Sequence, residues 1–314
     1  MHVTLIGAGV TGMEYVKVLS KLGVKFTVVA NTGRAIHDVE NFTMATFVPG
    51  GYLNFIKNCG VDPNVKYIVC LPVRSLAKCT FSLIKAGARE ILVEKPGAFY
   101  EADLNRVSRI ASMKQSKVFV GYNRRFFESI LCLKQIIDTS EYGSLGLVRV
   151  DFSEIIEKRL IDTRPISERN RWLLLNSSHL IDVLEYLLGP LRAEHIKTSK
   201  RCKWADLPAV FSILLTSGNS VIQLNANWNS PSRWHMEFYF DDAKCSLSPI
   251  EELQIQHKSL DPPKKLAGVD LIGLKAGFLG MVKSFLTTQH SLKTFSDQDL
   301  TFHLVNQIEN EKRT

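Results

Sequence analysis

His2-Val3-Thr4-Leu5-Ile6-Gly7-Ala8-Gly9-Val10-Thr11-Gly12 decides the fold. A strand-like run enters three glycines spaced G-x-G-x-x-G. A helical pattern over 11–22 follows, with Met13, Val16, Leu19 and Leu22 on one face and Gly23 as its stop. In that context the first glycine permits a tight turn and the second lets backbone approach a pyrophosphate. The third lets the helix pack closely on the strand, which leaves an anion at the helix N-terminus. Gly7, Gly9, Val10, Thr11 and Gly12 are therefore candidate dinucleotide contacts.

The same rhythm continues outward from this loop. Strands are expected at 24–30, 43–48, 65–71, 91–93 and 117–121, with helices at 52–59, 75–86 and 102–113 between them; Gly60 and Gly87 stop two of these helices. Six strands alternating with helices predict an α/β unit, an N-terminal Rossmann domain with a doubly wound parallel sheet over 1–121. After Gly121 the pattern changes. Helices are expected at 126–138, 178–188, 273–288 and 298–311, a charged loop at 157–171, and alternating strands at 146–155, 194–199, 209–216, 220–228, 234–240 and 253–257. Ser217-Gly218-Asn219 reads as a hairpin turn, and Pro262-Pro263-Lys264-Lys265 as an exposed loop. Residues 122–314 thus predict a C-terminal α+β domain with an open, mainly antiparallel sheet.

Composition excludes several classes. At 314 residues the chain is longer than one core usually serves, and 45% hydrophobic with 22% charged residues is the balance of a globular chain, not a disordered one. No apolar run approaches the roughly 20 residues that span a bilayer. The strand at the very start leaves no room for a signal peptide, so a cytoplasmic protein is expected. Cys59, Cys70, Cys79, Cys132, Cys202 and Cys245 form no C-x-x-C pair, so neither a metal site nor a redox dithiol is expected. The net charge of +8 is spread along the chain among acids, which argues against a nucleic-acid partner and suits an anionic small ligand.

Two further stretches bear on chemistry. The end of the second strand lacks the acid that would bond the adenine ribose; it reads Ala30-Asn31-Thr32-Gly33-Arg34, where a guanidinium can hold a 2′-phosphate. NADP(H) is favoured on that ground, and NAD(H) stays open because Asn31 can bond an unphosphorylated ribose. Glu94-Lys95-Pro96 ends the apolar run Ile91-Leu92-Val93, where open α/β sheets bind ligands. It reads either as a charged strand end or as a lysine placed to donate to a substrate oxygen.

His179, Asp182 and Tyr186 share a polar face, with His179 at the expected start of a helix whose apolar stripe is Leu180, Val183, Leu184, Leu187 and Leu188. They read either as a solvated face or as a base kept neutral by the helix N-terminus and oriented by Asp182. Arg124, Arg164, Arg169 and Arg171 are either solvated or hold a substrate carboxylate or diphosphate.

Taken together, Gly7 to Gly12, Glu94-Lys95-Pro96, Gly121-Tyr122-Asn123-Arg124-Arg125-Phe126 and Ser178-His179-Leu180-Ile181-Asp182 resemble, in order and spacing, the glucose-fructose oxidoreductase, inositol dehydrogenase and MocA (Gfo/Idh/MocA) family. The resemblance implies Lys95 and His179 as a catalytic pair and a cis bond before Pro96. It also implies cofactor contacts from Cys70, Leu71, Pro72, Glu94, Lys95 and Asn123, and substrate contacts from Tyr122, Arg124, Asn176 and His179. Where many members carry an aspartate four residues before the histidine, this chain has Leu175, beside Asn176. The activity implied is hydride transfer between a nicotinamide and a secondary alcohol or ketone of a sugar, nucleotide-sugar or related polyol, in a homo-oligomer (dimer or tetramer) formed through the sheet face. The alternative is a cofactor-sensing protein of the same fold that binds a partner protein.

Overall fold

The computed structural model describes residues 1–31, 39, 42–154, 156–258, 262–268 and 273–311. The chain divides into two compact units, Met1–Asn123 with Leu271–Asp299, and Arg124–Asp270 with Leu300–Thr314.

In the first unit β1 (His2–Ile6), β2 (Lys25–Ala30), β3 (Ala45–Pro49), β4 (Lys66–Val69), β5 (Glu90–Glu94) and β6 (Lys117–Gly121) are all parallel, in the spatial order 6-5-4-1-2-3. Helices Val10–Lys21, Gly51–Asn58, Val73–Lys85 and Glu101–Lys114 alternate with them. Near-continuous apolar runs form the central strands because helices cover both faces of such a sheet; Val3, Leu5, Val28, Ile68, Val69, Leu92 and Val93 are wholly buried. Ile6 pairs with Val29 on one side and Val69 on the other, so the carboxyl ends of β1, β2 and β4 are level. The strand order reverses between β1 and β4, which opens a crevice over those ends.

The division of the chain differs from the 1–121 and 122–314 expected from sequence. Residues 271–299 return to the first unit, where helix Phe278–Leu286 and a two-residue strand, Lys293–Thr294, antiparallel to β6, complete it. The physical reason is aromatic burial: Phe278 lies with its ring centroid 5.0 Å from that of Tyr15, Phe285 packs edge-on to Phe119, and Lys66 Nζ donates to the Phe285 carbonyl at 2.9 Å.

Among the described residues the second unit carries eight strands, β7 (Leu145–Asp151), β8 (Arg192–Arg201), β9 (Pro208–Ser217), β10 (Ser220–Asn227), β11 (His235–Phe240), β12 (Ala243–Leu247), β13 (Leu253–His257) and β14 (Lys264–Ala267), in the order 14-13-12-11-7-10-9-8. Among these described strands, only neighbours β7 and β10 run parallel. The open, mainly antiparallel sheet expected from alternation is therefore present, and Val148, Val150, Phe211, Ile213, Leu215, Ile222 and Leu224 form its buried face.

Three segments differ from expectation. Lys264 and Lys265 belong to an edge strand, where paired backbone and exposed lysines coexist. β12 is an additional strand, and the charged stretch 157–171 contains two short helices, Lys158–Thr163 and Ile166–Arg169. No helix among the described residues is long and apolar enough to cross a membrane.

Candidate active site

The glycine loop is built as its residue types demand. Gly7 adopts a φ of 109° and donates its N–H to the Val29 carbonyl at 2.8 Å; a Cβ there would lie 2.0 Å from the Cys70 carbonyl oxygen. A Cβ on Gly12 would lie 2.3 Å from the Gly7 carbonyl oxygen, so helix and loop approach closer than any side chain permits. At Gly9 the opposite holds. Among the described residues, no atom beyond its two chain neighbours lies within 4 Å of where its Cβ would be, and the following helix has no side-chain cap among them and no acidic residue in its first turn. Its leading N–H groups and dipole suit an anion.

A crevice of about 640 Å³ opens over this loop, in the size range of cofactor sites. It brings together Gly7, Gly9, Val10, Thr11, Gly12, Asn31, Cys70, Leu71 and Pro72, all expected, and adds Tyr52 and Ser75, which sequence reading missed. Asn31 Oδ1 fills the space beside Gly51, where a Cβ would be 2.0 Å away. Val10 is 89% exposed at the helix start. These features fit a dinucleotide: open backbone at the pyrophosphate position, an uncapped helix N-terminus and apolar walls. Thr32 and Arg34, on which the NADP(H) preference rested, lie outside the described residues.

Lys95 follows β5 directly, and the Lys95–Pro96 bond is cis, as the resemblance implies. Glu94 accepts a 2.7 Å hydrogen bond from the Tyr15 hydroxyl, and burial pushes its carboxyl above the usual range against the opposing pull of Tyr15, Lys95 and Lys275. Gly121, paired across the ladder with Glu94, leaves room for this contact. Burial also pushes the Cys70 thiol up, so Cys70 offers its backbone and bulk, not a thiolate.

Two residues near the junction have inward roles. Asn123 is buried and donates its amide to the Ala276 carbonyl at 2.8 Å. Tyr122, expected to touch substrate, is wholly buried; its hydroxyl accepts from Gln298 Nε2 at 2.9 Å, and the same amide donates to the Pro96 carbonyl at 3.1 Å. In this arrangement Tyr122 braces the turn after Lys95 from inside the core.

In the second unit His179 is 5% exposed and does not begin a helix. The helical run starts at Trp172, passes through a π-helical turn at Leu173–Ser177 and continues as Ser178–Leu188. The expected effect of a helix N-terminus on His179 is therefore removed, because Trp172–Ser177, with its apolar, buried Leu173-Leu174-Leu175, extends the helix by about one and a half turns. Asp182 is fully buried in a bidentate pair with Arg125, with Nε and Nη2 donating at 2.9 and 2.7 Å. Arg125 is a partner that sequence reading did not identify.

The basic residues part company. Arg124 and Arg164 line a cavity of about 450 Å³ together with Asn176, Trp172 and Glu154. Arg124 stacks on Trp234 at 4.6 Å, and burial pushes its guanidinium down to about 10 against the attraction of Glu251 and Glu154. Its Nε is buried and has no hydrogen-bond partner among the described residues. Arg171 is instead held by Asn306 at 2.9 Å and by Glu309, and Arg169 donates to the Trp204 carbonyl at 2.7 Å.

Glu154, which sequence reading missed, accepts from Asn176 Nδ2 at 2.7 Å, from Ser177 Oγ at 2.6 Å and from Trp172 Nε1. Burial pushes its carboxyl up, and those three donors and Arg124 oppose the shift.

Residues 2–48 match the pyridine nucleotide-disulphide oxidoreductase family. No curated protein matches the sequence. Among solved structures the chain is similar to the dehydrogenase MviM from Clostridium difficile, with 14% identity, TM-score 0.78 and 99% of both chains covered. It is also similar to UDP-N-acetylglucosamine 3-dehydrogenase GnnA from Acidithiobacillus ferrooxidans, with 14% identity, TM-score 0.76, and 98% and 96% covered. A third is an oxidoreductase from Agrobacterium radiobacter in complex with NAD+, L-tartaric acid and magnesium, with 13% identity, TM-score 0.78, and 99% and 97% covered. From the glycine loop to the final helix, the chain has the fold of the Gfo/Idh/MocA-type oxidoreductases.

Proposed function

We propose that the chain is an NAD(P)-dependent oxidoreductase acting on a secondary alcohol or ketone of a sugar, nucleotide-sugar or related polyol. The observation that carries this reading is the crevice over β1 and β4: open backbone at Gly9, an uncapped and acid-free helix start, and Cys70-Leu71-Pro72 as its far wall. When bound there, the nicotinamide supplies the hydride acceptor or donor.

The chain's residues do the rest. Lys95 donates a hydrogen bond to the substrate oxygen and polarises it, and His179 takes the hydroxyl proton in the oxidising direction and returns it in the reducing one. Arg124, whose buried Nε has no hydrogen-bond partner among the described residues, and Asn176 hold polar groups of the substrate in the second unit. Asp182 serves by fixing the helix that carries His179 through Arg125. NADP(H) is the preferred cofactor in this reading because Arg34 follows a strand end without an acid, and the working form is a homo-oligomer.

The test is absorbance at the reduced-nicotinamide band with each cofactor and a panel of sugars, polyols and nucleotide-sugars. Turnover that Lys95→Ala removes, with cofactor affinity kept within about tenfold or roughly 1.4 kcal/mol, supports the assignment. Intact cofactor binding with no turnover across the panel, and a protein partner that co-purifies, overturns it.

A further inference from the structure

The π-helical turn at Leu173–Ser177 is held from two sides by buried carboxyl groups from distant parts of the second unit. Glu154, just beyond β7, takes donors from Trp172, Asn176 and Ser177. Glu309, on helix Gln298–Asn310, takes Arg171 and the backbone N–H of Leu174. Within the turn the Ser178 N–H reaches the Leu173 carbonyl five residues back, the bond that defines a π turn, while the Leu175 N–H still bonds the Arg171 carbonyl four back.

A π turn takes in one residue more than an α turn. Side chains after it are therefore rotated by about 100° around the axis relative to an uninterrupted α-helix. Asn176 lies inside the turn and lines the cavity of Arg124, whereas His179 lies beyond it. The angle between the cavity wall and the histidine is thus set by whether the turn is π or α. The second half of the helix is fixed by Asp182–Arg125 and by buried Leu180, Val183, Leu184 and Leu187, so relaxation of the turn would swing Trp172 and Asn176.

An isolated π turn is uncommon and needs outside support, and among the described residues Glu154 is the side chain that bonds three residues of this run. Glu154 is buried and these three side-chain donors all come from Trp172–Ser177, so a shift of the turn that withdraws them leaves its carboxyl short of partners.

We propose that Glu154 is a positioning residue: it locks the π turn and thereby sets Asn176 and the cavity wall at the angle to His179 that proton transfer requires. The inference rests on the reading of His179 as the proton acceptor.

Its test uses the full chain with Glu154→Gln, Glu154→Asp and Glu154→Ala. Two structural readouts are made on each: hydrogen exchange of amides 173–178 and the imidazole nitrogen shifts of His179. Kinetics follow with whichever panel sugar or nucleotide-sugar the unaltered chain oxidises. Glu154→Ala is expected to speed exchange in 173–178 by at least about tenfold and to move the His179 shifts. It should lower kcat by at least about tenfold with cofactor Kd within about threefold. Glu154→Asp, which keeps the charge on a shorter arm, should recover part of kcat.

Unchanged exchange in Glu154→Ala overturns the lock, and faster exchange with unchanged His179 shifts and kcat overturns the positioning role. If Glu154→Ala does not fold, Glu154→Gln decides by the same readouts, since its carbonyl can keep one or two of the three bonds. If the unaltered chain turns over nothing in the panel, the functional reading fails separately, and exchange with the His179 shifts still decides for or against the positioning role.

Discussion

Asp182→Asn should unfold the second unit more readily than any other single charge removal among the residues described above. Asp182 is fully buried and the Arg125 side chain is 10% exposed, so their two hydrogen bonds at 2.9 and 2.7 Å form a charge-assisted fork inside the core. Asparagine keeps one acceptor oxygen but no charge, so the buried guanidinium loses its counter-charge and one arm of the fork, a loss of about 3–5 kcal/mol for buried pairs of this kind. At about 2–4 °C per kcal/mol for a unit of this size, the midpoint of thermal unfolding should fall by about 6–20 °C.

Replacing the pair together by apolar residues, as in Arg125→Met with Asp182→Leu, removes both charges and should leave stability within about 2 kcal/mol of the original. The assay is urea unfolding of the four members of the cycle, which isolates the coupling from the cost of each truncation. The expected coupling exceeds about 2 kcal/mol. Additive effects, or a loss below about 1 kcal/mol for Asp182→Asn alone, would refute the claim that this pair anchors the helix carrying His179.

Three other outcomes follow from the geometry. Gly9→Ala places its Cβ in open space, so thermal stability should stay within about 1 °C while cofactor Kd, read by fluorescence titration, rises at least about tenfold, or 1.4 kcal/mol; unchanged affinity would show that the ligand does not approach there. Gly12→Ala meets the Gly7 carbonyl oxygen at 2.3 Å, so both stability and cofactor affinity should fall in the same two assays.

Burial pushes the Glu309 carboxyl from 4.5 up to about 7 despite Arg171. In the window between those values the folded state binds more protons than the unfolded one, so this group makes stability fall as pH rises, by up to about 3 kcal/mol. Glu309→Gln should remove that part of the slope in urea unfolding at pH 5 and pH 8, and an identical slope would show that the carboxyl titrates normally.

What could be read in the sequence was whatever depends on near neighbours. The alternation of short apolar runs with glycine-stopped helices is a local signal, and β1 to β6 lie where it places them. Cys70-Leu71-Pro72 line the crevice over the glycine loop because a strand end in a known order has a known address. Lys264 and Lys265 misled because an exposed edge strand has the composition of a loop. β12 was missed because Ala243 and Cys245 alternate with Lys244 and Ser246 too weakly to stand out.

The errors around His179 have one cause. Asn176-Ser177-Ser178 has the composition of a helix cap, and nothing local reveals that three buried leucines before it are already helical. Glu154 and Arg125 were invisible for a different reason: their partners lie 18 to 23 and 57 residues away, and periodicity carries no information about such pairings.

The return of residues 271–299 to the first unit bears on how the chain is made. A ribosome releases the glycine loop and all six parallel strands early, yet the exposed edge of β6 waits for Lys293–Thr294, and the amide that holds the Pro96 carbonyl belongs to Gln298. About 175 residues must emerge in between, which at about 5–20 residues per second is a delay of roughly 10–35 s. Throughout that interval the nascent first unit presents an unpaired strand edge and the uncovered rings of Tyr15 and Phe119. Chaperone dependence during synthesis should therefore be concentrated on this unit, and stalled or truncated products ending before residue 271 should be the aggregating species.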